Sequence, residues 1–135
     1  MDNGTSVSVI LPTFNRASIV ARALESVLRQ THRNLEIIVI DDGSSDNTKE
    51  VALSYSDPRL KYIRHDVNRG GNAARNTGIR VSTGDYIAFQ DSDDLWLPEK
   101  LEIQLREMLR HGARISFTAC TRVNSSGRRR YFPKK

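Results

Sequence analysis

Three of the chain's 16 acidic residues fall within four positions, in Asp91-Ser92-Asp93-Asp94, and two more adjoin at Asp41-Asp42. Carboxylates packed this closely repel one another unless a cation or an imported positive group relieves them. A hard divalent ion suits such a set, because it takes oxygen ligands and fills its shell with water and phosphate oxygens. Each cluster also has a plainer reading. Asp93 or Asp94 can cap a short turn ahead of Pro98, and Asp41-Asp42-Gly43 is ordinary turn composition. Where the acids sit in the fold decides between the readings.

Short apolar runs alternate with amphipathic segments up to about residue 110. Val7 to Leu11 is a β-branched run that stops at Pro12, as a buried strand does. Ala17 to Arg29 reads as a helix, with Ile19, Val20, Ala23, Leu24, Val27 and Leu28 on one face. Leu35 to Ile40 is a second strand ending at the acidic pair. Asp46 to Tyr55 reads as a helix capped by Asp46, and Leu60 to Arg64 as a third strand. The small residues from Ala73 to Val81 form a helix after the loop Asn68 to Asn72, and Tyr86 to Phe89 is a fourth strand. Pro98 suits the first turn of a helix reaching Arg110, with Leu101, Leu105, Met108 and Leu109 as its apolar face. Ile115 to Val123 reads as a fifth strand, Asn124 to Gly127 as a turn, and Arg130 to Phe132 as a returning strand.

Strands separated by helices imply crossovers and a mostly parallel sheet with helices on both faces. Ligands bind such sheets beyond the carboxyl ends of the strands. The first strand ends in Pro12-Thr13-Phe14-Asn15-Arg16, the second in Asp41-Asp42 and the fourth in the acidic cluster, so all three polar sequences meet at one edge. Arg75 starts among small neighbours and is placed to reach a diphosphate, for which guanidinium suits bidentate contact; a solvated helix arginine is the plainer alternative. Gly70-Gly71 permits close approach of a ligand or simply a tight turn.

Other features exclude more than they suggest. The net charge of +5 suggests nucleic acid until it is divided along the chain: residues 1–110 carry 14 basic and 16 acidic residues, and residues 111–135 carry seven basic and no acidic ones. The basicity thus belongs to the tail, and a solvated tail is favoured over a phosphate- or membrane-binding patch. A nucleic-acid partner is not expected. No Gly-x-Gly-x-x-Gly follows the first strand and no Gly-Lys-Ser/Thr occurs, which argues against a dinucleotide-binding domain and a phosphate-loop NTPase. No apolar run reaches span length, and the start lacks a signal-peptide pattern. The expectation is a cytoplasmic location, with attachment to the inner face of a membrane left to regions outside this chain. His32, His65 and His111 lack metal-ligand spacing and read as surface residues. Cys120 reads as a buried strand residue, and Trp96 and Leu97 as packing beneath the Asp loop.

The segments VSVILPTFNR at 7–16, ALESVLRQTHRNLEIIVIDDGSSDNT at 23–48, NRGGNAARNTGI at 68–79 and STGDYIAFQDSDDLWLPEKLE at 82–102 occur in an order and spacing that resemble family 2 glycosyltransferases. These are inverting enzymes with the GT-A, or nucleotide-diphospho-sugar transferase, fold, a Rossmann-like α/β architecture. The resemblance implies that residues 7–123 form the nucleotide-sugar-binding region, ending after about the fifth strand, with 124–135 as a basic tail or the start of a further half. It implies that Pro12, Thr13 and Asn15 lie against the nucleotide base, that Asp42 and less directly Asp41 hydrogen-bond the base ring, and that Arg75 lies near the base or diphosphate. Asp91 would face the ribose. Asp93, with Asp91, would hold Mg2+ or Mn2+ bridging the diphosphate of a nucleotide-diphosphate sugar, UDP being the commonest donor nucleotide in that family. The family's catalytic base, an Asp or Glu that deprotonates the acceptor hydroxyl, lies after the metal site, whereas no acidic residue follows Glu107 here. The chain therefore reads as a fragment of an inverting transferase, with a non-catalytic nucleotide-sugar-binding module as the alternative.

Overall fold

The computed structural model describes residues 4–132. They fall into two compact units that divide between Leu101 and Glu102. In the first, strands β1 (Val7–Thr13), β2 (Leu35–Asp41), β3 (Leu60–Arg64) and β4 (Tyr86–Phe89) alternate with helices α1 (Val20–Leu28), α2 (Thr48–Leu53) and α3 (Gly71–Val81). The strands form one parallel sheet in the order β3-β2-β1-β4. From β1 the chain steps outward to β2 and β3, then returns past β1 to place β4 on its other side. The order reverses at the β1/β4 boundary, which makes the carboxyl end of that boundary the place where loops diverge and a ligand crevice opens.

Both central strands are buried along almost their whole length, as a sheet covered on both faces requires. Side chains alternate across a strand. Ile10, Ile38 and Ile40 therefore share one face, where they cluster with Ala74 of α3 and with Ile63. Val9, Leu11, Ile37 and Val39 point the other way and are equally buried, as are Val20, Ala23, Leu24 and Val27 of α1 and Ala52 of α2. The α1 residues recur at three- and four-residue steps, which is what a single buried helical stripe needs. α3 lies very close to the sheet: a Cβ added at Gly78 would stand 2.5 Å from Cγ2 of the fully buried Ile10.

Helix α1 begins three residues later than its hydrophobic pattern predicts, for a local reason. The backbone N–H groups of Arg16 and Ala17 donate to Thr48 Oγ1 at 2.9 Å and Asp46 Oδ2 at 3.0 Å. Those donors are thus satisfied from the loop after β2, and the chain stays non-helical until Val20. Asp46 also accepts from the Thr48 N–H at 3.0 Å, just inside the start of α2.

The second unit holds most of α4 (Lys100–His111) and a two-stranded antiparallel hairpin of β5 (Cys120–Val123) and β6 (Arg129–Phe132). Here the structure departs from the sequence pattern. The expected fifth strand over Ile115 to Val123 is reduced to its last four residues, and it pairs with β6 instead of extending the parallel sheet. Ile115 and Phe117 are 79% and 91% exposed; an apolar run without a ladder partner does not make a strand. Cys120 is exposed, not buried. The hairpin turn follows its composition, with Asn124 Oδ1 accepting from the N–H groups of Ser126 and Arg128. Of the expected tail at 124–135, Arg129–Phe132 is strand, and residues 133–135 lie outside the described residues. Leu101, Leu105 and Met108 are buried as expected, but Leu109 is 44% exposed.

Candidate active site

The loops after β1 and β2 are tied together before they reach the crevice. Asp42 N–H donates to the Thr13 carbonyl at 2.9 Å. Asn15 takes a left-handed conformation, φ 51°, which its short polar side chain tolerates. Its N–H donates to Ser44 Oγ and its Oδ1 accepts from Ser45 N–H, both at 2.8 Å. The side chain expected against a base is therefore holding the neighbouring loop, and Asn15 does not line the cleft.

Asp41 departs in the same way. Its carboxylate is fully buried, accepts from Ser44 N–H at 2.8 Å and from the Tyr62 hydroxyl, and has the Arg64 guanidinium 3.9 Å away. Burial, together with this bond to Asp41, pushes the Tyr62 phenol well up from its ordinary value. With every approach occupied by protein, Asp41 is a brace for the loop and not a residue of the cleft.

Asp42, one residue on, turns the opposite way. Its Oδ1 accepts from His65 Nδ1 at 2.6 Å and from Arg69 N–H at 3.0 Å, and its Oδ2 from Gly70 N–H at 2.7 Å. Burial works to raise this carboxyl, but the bonds from His65, Arg69 and Gly70 outweigh it and hold it below the usual carboxylate range. His65 is buried, contrary to its reading as a surface residue. It follows β3 directly, and its N–H donates to the Asp41 carbonyl at 2.8 Å, so parallel register carries its ring to Asp42. The bend between β2 and this network passes through Gly43 at φ +80°, where a Cβ would lie 2.9 Å from the Asn68 nitrogen.

An open cleft of about 310 Å³ occupies the switch point. Pro12, Thr13 and Arg16 line it from the end of β1, Asp42 and Asn68 from the loops beyond β2 and β3, and Gly71 and Arg75 from the start of α3. Asp91, Ser92 and Asp93 close it after β4. Thr13 is buried, and its hydroxyl has no partner among the described residues. The acidic loop is anchored from below by the fully buried Gln90, whose N–H donates to the Ile10 carbonyl at 3.0 Å and whose Nε2 donates to the Asp94 carbonyl at 2.6 Å. Asp94 N–H returns to the Asp91 carbonyl at 3.0 Å, so the cluster is a hydrogen-bonded turn that also presents its carboxylates. Leu97, expected beneath it, is 79% exposed, while the half-buried Trp96 carries the Lys100 ammonium 4.7 Å above its ring.

Arg75 Nη2 pairs with Asp91 Oδ1 at 2.6 Å, both side chains being partly exposed. Such a pair is worth at most about 1 kcal/mol and can open when a better anion arrives. Burial, then the charges of Asp91 and Asp93, raise the Asp94 carboxyl. That mutual repulsion is what a bound cation relieves. Among the described residues no three His, Cys, Asp or Glu side chains converge as a metal cage. Asp93, exposed and facing the cleft, suits a different arrangement, in which one or two carboxylates share an ion with substrate phosphates and water.

The sequence profile of the family described as "Glycosyl transferase family 2" matches residues 8–135. The chain belongs to glycosyltransferase family 2. Its fold is that of the GT-A transferases. Among similar proteins, an uncharacterized glycosyltransferase of Rickettsia conorii is 46% identical over 127 residues, covering 93% of this chain and 21% of the relative. WfgD of Escherichia coli, named as a UDP-Glc:α-D-GlcNAc-diphosphoundecaprenol β-1,3-glucosyltransferase, is 43% identical over 111 residues, covering 82% of this chain and 43% of that protein. The chain thus spans less than half the length of these curated relatives. Residues 1–349 of Staphylococcus aureus TarS, solved in complex with UDP, superpose with a TM-score of 0.75 at 30% identity, over 79% of this chain and 33% of that portion of TarS. A mannosyltransferase of Pyrobaculum calidifontis, solved with GDP-Man and Mn2+, gives 0.68 at 28% identity, over 85% of this chain and 34% of its own.

Proposed function

We propose that this chain forms the donor site of an inverting glycosyltransferase, which binds a UDP-sugar with a divalent metal and passes the sugar to an acceptor hydroxyl. The observation that supports it most is the cleft at the strand-order reversal, where Thr13, Asp42, Arg75 and Asp93 meet from four separate segments. Pro12 and Thr13 form the floor on the base side, and the unpartnered Thr13 hydroxyl is available to the nucleoside. Asp42 takes an N–H of the base on its carboxylate. Asp91 meets the ribose. Arg75 leaves Asp91 for the diphosphate, exchanging one exposed carboxylate for a doubly charged partner. Asn15 and Asp41 act indirectly, by fixing the loops that carry these groups.

Asp93, with Asp91 beside it, would hold Mg2+ or Mn2+. The ion, when bound, supplies Lewis-acid stabilisation of the charge that develops on the departing diphosphate. The chain's own residues bind and orient the donor so that its anomeric carbon is presented to an acceptor. UDP is favoured because the E. coli relative is named for UDP-Glc and the S. aureus structure holds UDP. The same relative's name motivates a lipid-linked glycan as the acceptor class.

Calorimetric titration of UDP into the chain, with and without Mn2+, tests the proposal. Binding should be saturable and tighter with metal, and Asp93→Ala should abolish the metal enhancement while leaving the fold intact. UDP binding indifferent to both metal and Asp93 would remove the metal assignment; no UDP binding under any condition would remove the donor-site reading.

A further inference from the structure

Asp42 does not stand alone at the cleft, since behind it runs a file of side chains that reaches the last turn of α3. Arg80 Nη2 donates to Thr77 Oγ1 at 3.1 Å, Thr77 Oγ1 lies 2.9 Å from His65 Nε2, and His65 Nδ1 lies 2.6 Å from Asp42 Oδ1. We propose that His65 is a positioning residue for nucleotide recognition, holding the Asp42 carboxylate to the cleft through a one-way chain of hydrogen bonds that starts at Arg80 and Thr77. The inference rests on the donor-site reading above and adds to it three residues that never touch the nucleotide.

The direction of the chain follows from what each group is able to do. An ionised carboxylate only accepts, so the hydrogen between His65 and Asp42 belongs to Nδ1. A guanidinium only donates, so Thr77 receives from Arg80 and its own hydroxyl hydrogen is left for an acceptor. In a neutral imidazole with its hydrogen on Nδ1, the bare Nε2 is that acceptor, whereas an imidazolium would donate from Nε2 to the second lone pair of Thr77. Each bond then polarises the next in the same sense, toward Asp42.

The consequence lies at Asp42. A carboxylate has about four lone-pair sites. Two on Oδ1 serve His65 and Arg69 N–H, and one on Oδ2 serves Gly70 N–H. One acceptor site on Oδ2 remains, on a residue that lines the cleft. Without His65 the carboxylate loses the bond that sets its rotation, and the two backbone donors alone leave it free to turn that site away. His65 and Thr77 are thus expected to govern affinity for a ligand that offers an N–H, although His65 and Asp42 are 23 positions apart and Thr77 is on another element.

Two measurements on the whole chain test this. In the ligand-free protein, the imidazole nitrogen spectrum of His65 should show Nδ1 protonated and Nε2 bare and hydrogen-bonded; the opposite tautomer or a doubly protonated ring would overturn the chain's direction. In UDP titrations, His65→Ala should raise Kd about tenfold, while His65→Asn, whose amide N–H sits near the position of Nδ1, should stay within about threefold of the parent. Thr77→Val keeps the side-chain shape without the hydroxyl, should weaken binding about threefold, and carries the same test should His65→Ala fail to fold. A parent chain that binds UDP while all three variants bind equally well would overturn the proposal and leave the donor site standing. A parent chain that does not bind UDP would take both down together.

Discussion

At the residue scale, the proposed donor site places nucleotide selection on Asp42 and Arg75. In the proposed donor site, the remaining acceptor site on Asp42 Oδ2 takes an N–H from the base. Uracil offers a ring N–H where cytosine offers a lone pair, so UDP should bind at least about tenfold more tightly than CDP in competition titrations. Equal affinities would show that Asp42 does not read the base. Arg75→Ala should weaken UDP about tenfold or more but weaken uridine little, because the guanidinium is assigned to the diphosphate; parallel losses for both would place it at the base. The gathering of these residues was legible beforehand. Pro12 and Thr13 end β1, Asp42, Asp91 and Asp93 follow strands, and Arg75 lies near the start of α3; a parallel sheet brings such positions to one edge, as it does here. His65 was not legible, since its role depends on the register of β3 against β2, which no local pattern states. Asp41 and Asp42 look alike in sequence and both are buried, and only the alternation of a strand end turns Asp42 toward the cleft lining and Asp41 away from it.

At the scale of elements, the site depends on how closely α3 lies against β1. Gly78 permits that approach, and a methyl there meets Ile10, which is fully buried and has nowhere to go. Gly78→Ala should therefore cost about 1–3 kcal/mol in chemical denaturation and should also weaken UDP, because α3 carries Arg75 and Thr77. A variant as stable as the parent would show that the helix shifts freely. The four parallel strands and four helices were readable from periodicity, with helix ends off by a few residues. Those errors have physical causes, such as the Arg16 and Ala17 N–H groups held by Thr48 and Asp46 in place of a helical first turn. The fifth strand was misread because Ile115 and Phe117 are apolar without being covered. Hydrophobicity marks a strand only where the rest of the chain supplies a ladder and a face.

For the molecule as a whole, the end of the sheet away from the cleft supplies a pH-dependent part of the stability. Glu36 of β2 accepts from Ser8 Oγ at 2.5 Å, Lys61 Nζ at 2.6 Å and Thr83 N–H at 2.7 Å, tying three strands and the turn before the fourth. Burial opposes ionisation, but the bonds from Lys61, Ser8 and Thr83 prevail and lower its carboxyl from 4.5 to about 2. A depressed carboxyl contributes stability that is fully present above its unfolded value and is lost as pH falls through its folded one. Denaturation midpoints should thus fall from pH 4.5 toward about 2, and Glu36→Gln should lower the midpoint at neutral pH while flattening that particular decline. An unchanged acid profile in the variant would assign the loss to other carboxylates. The central claim concerns the opposite end: that the nucleotide occupies the cleft between β1 and β4. Amide chemical-shift mapping with UDP and Mg2+ tests it most directly. Shifts should concentrate at Thr13 to Arg16, Asp42, Gly70 to Arg75 and Asp91 to Asp93; shifts centred instead on the hairpin of β5 and β6, or none at saturating UDP, would contradict a nucleotide in the cleft.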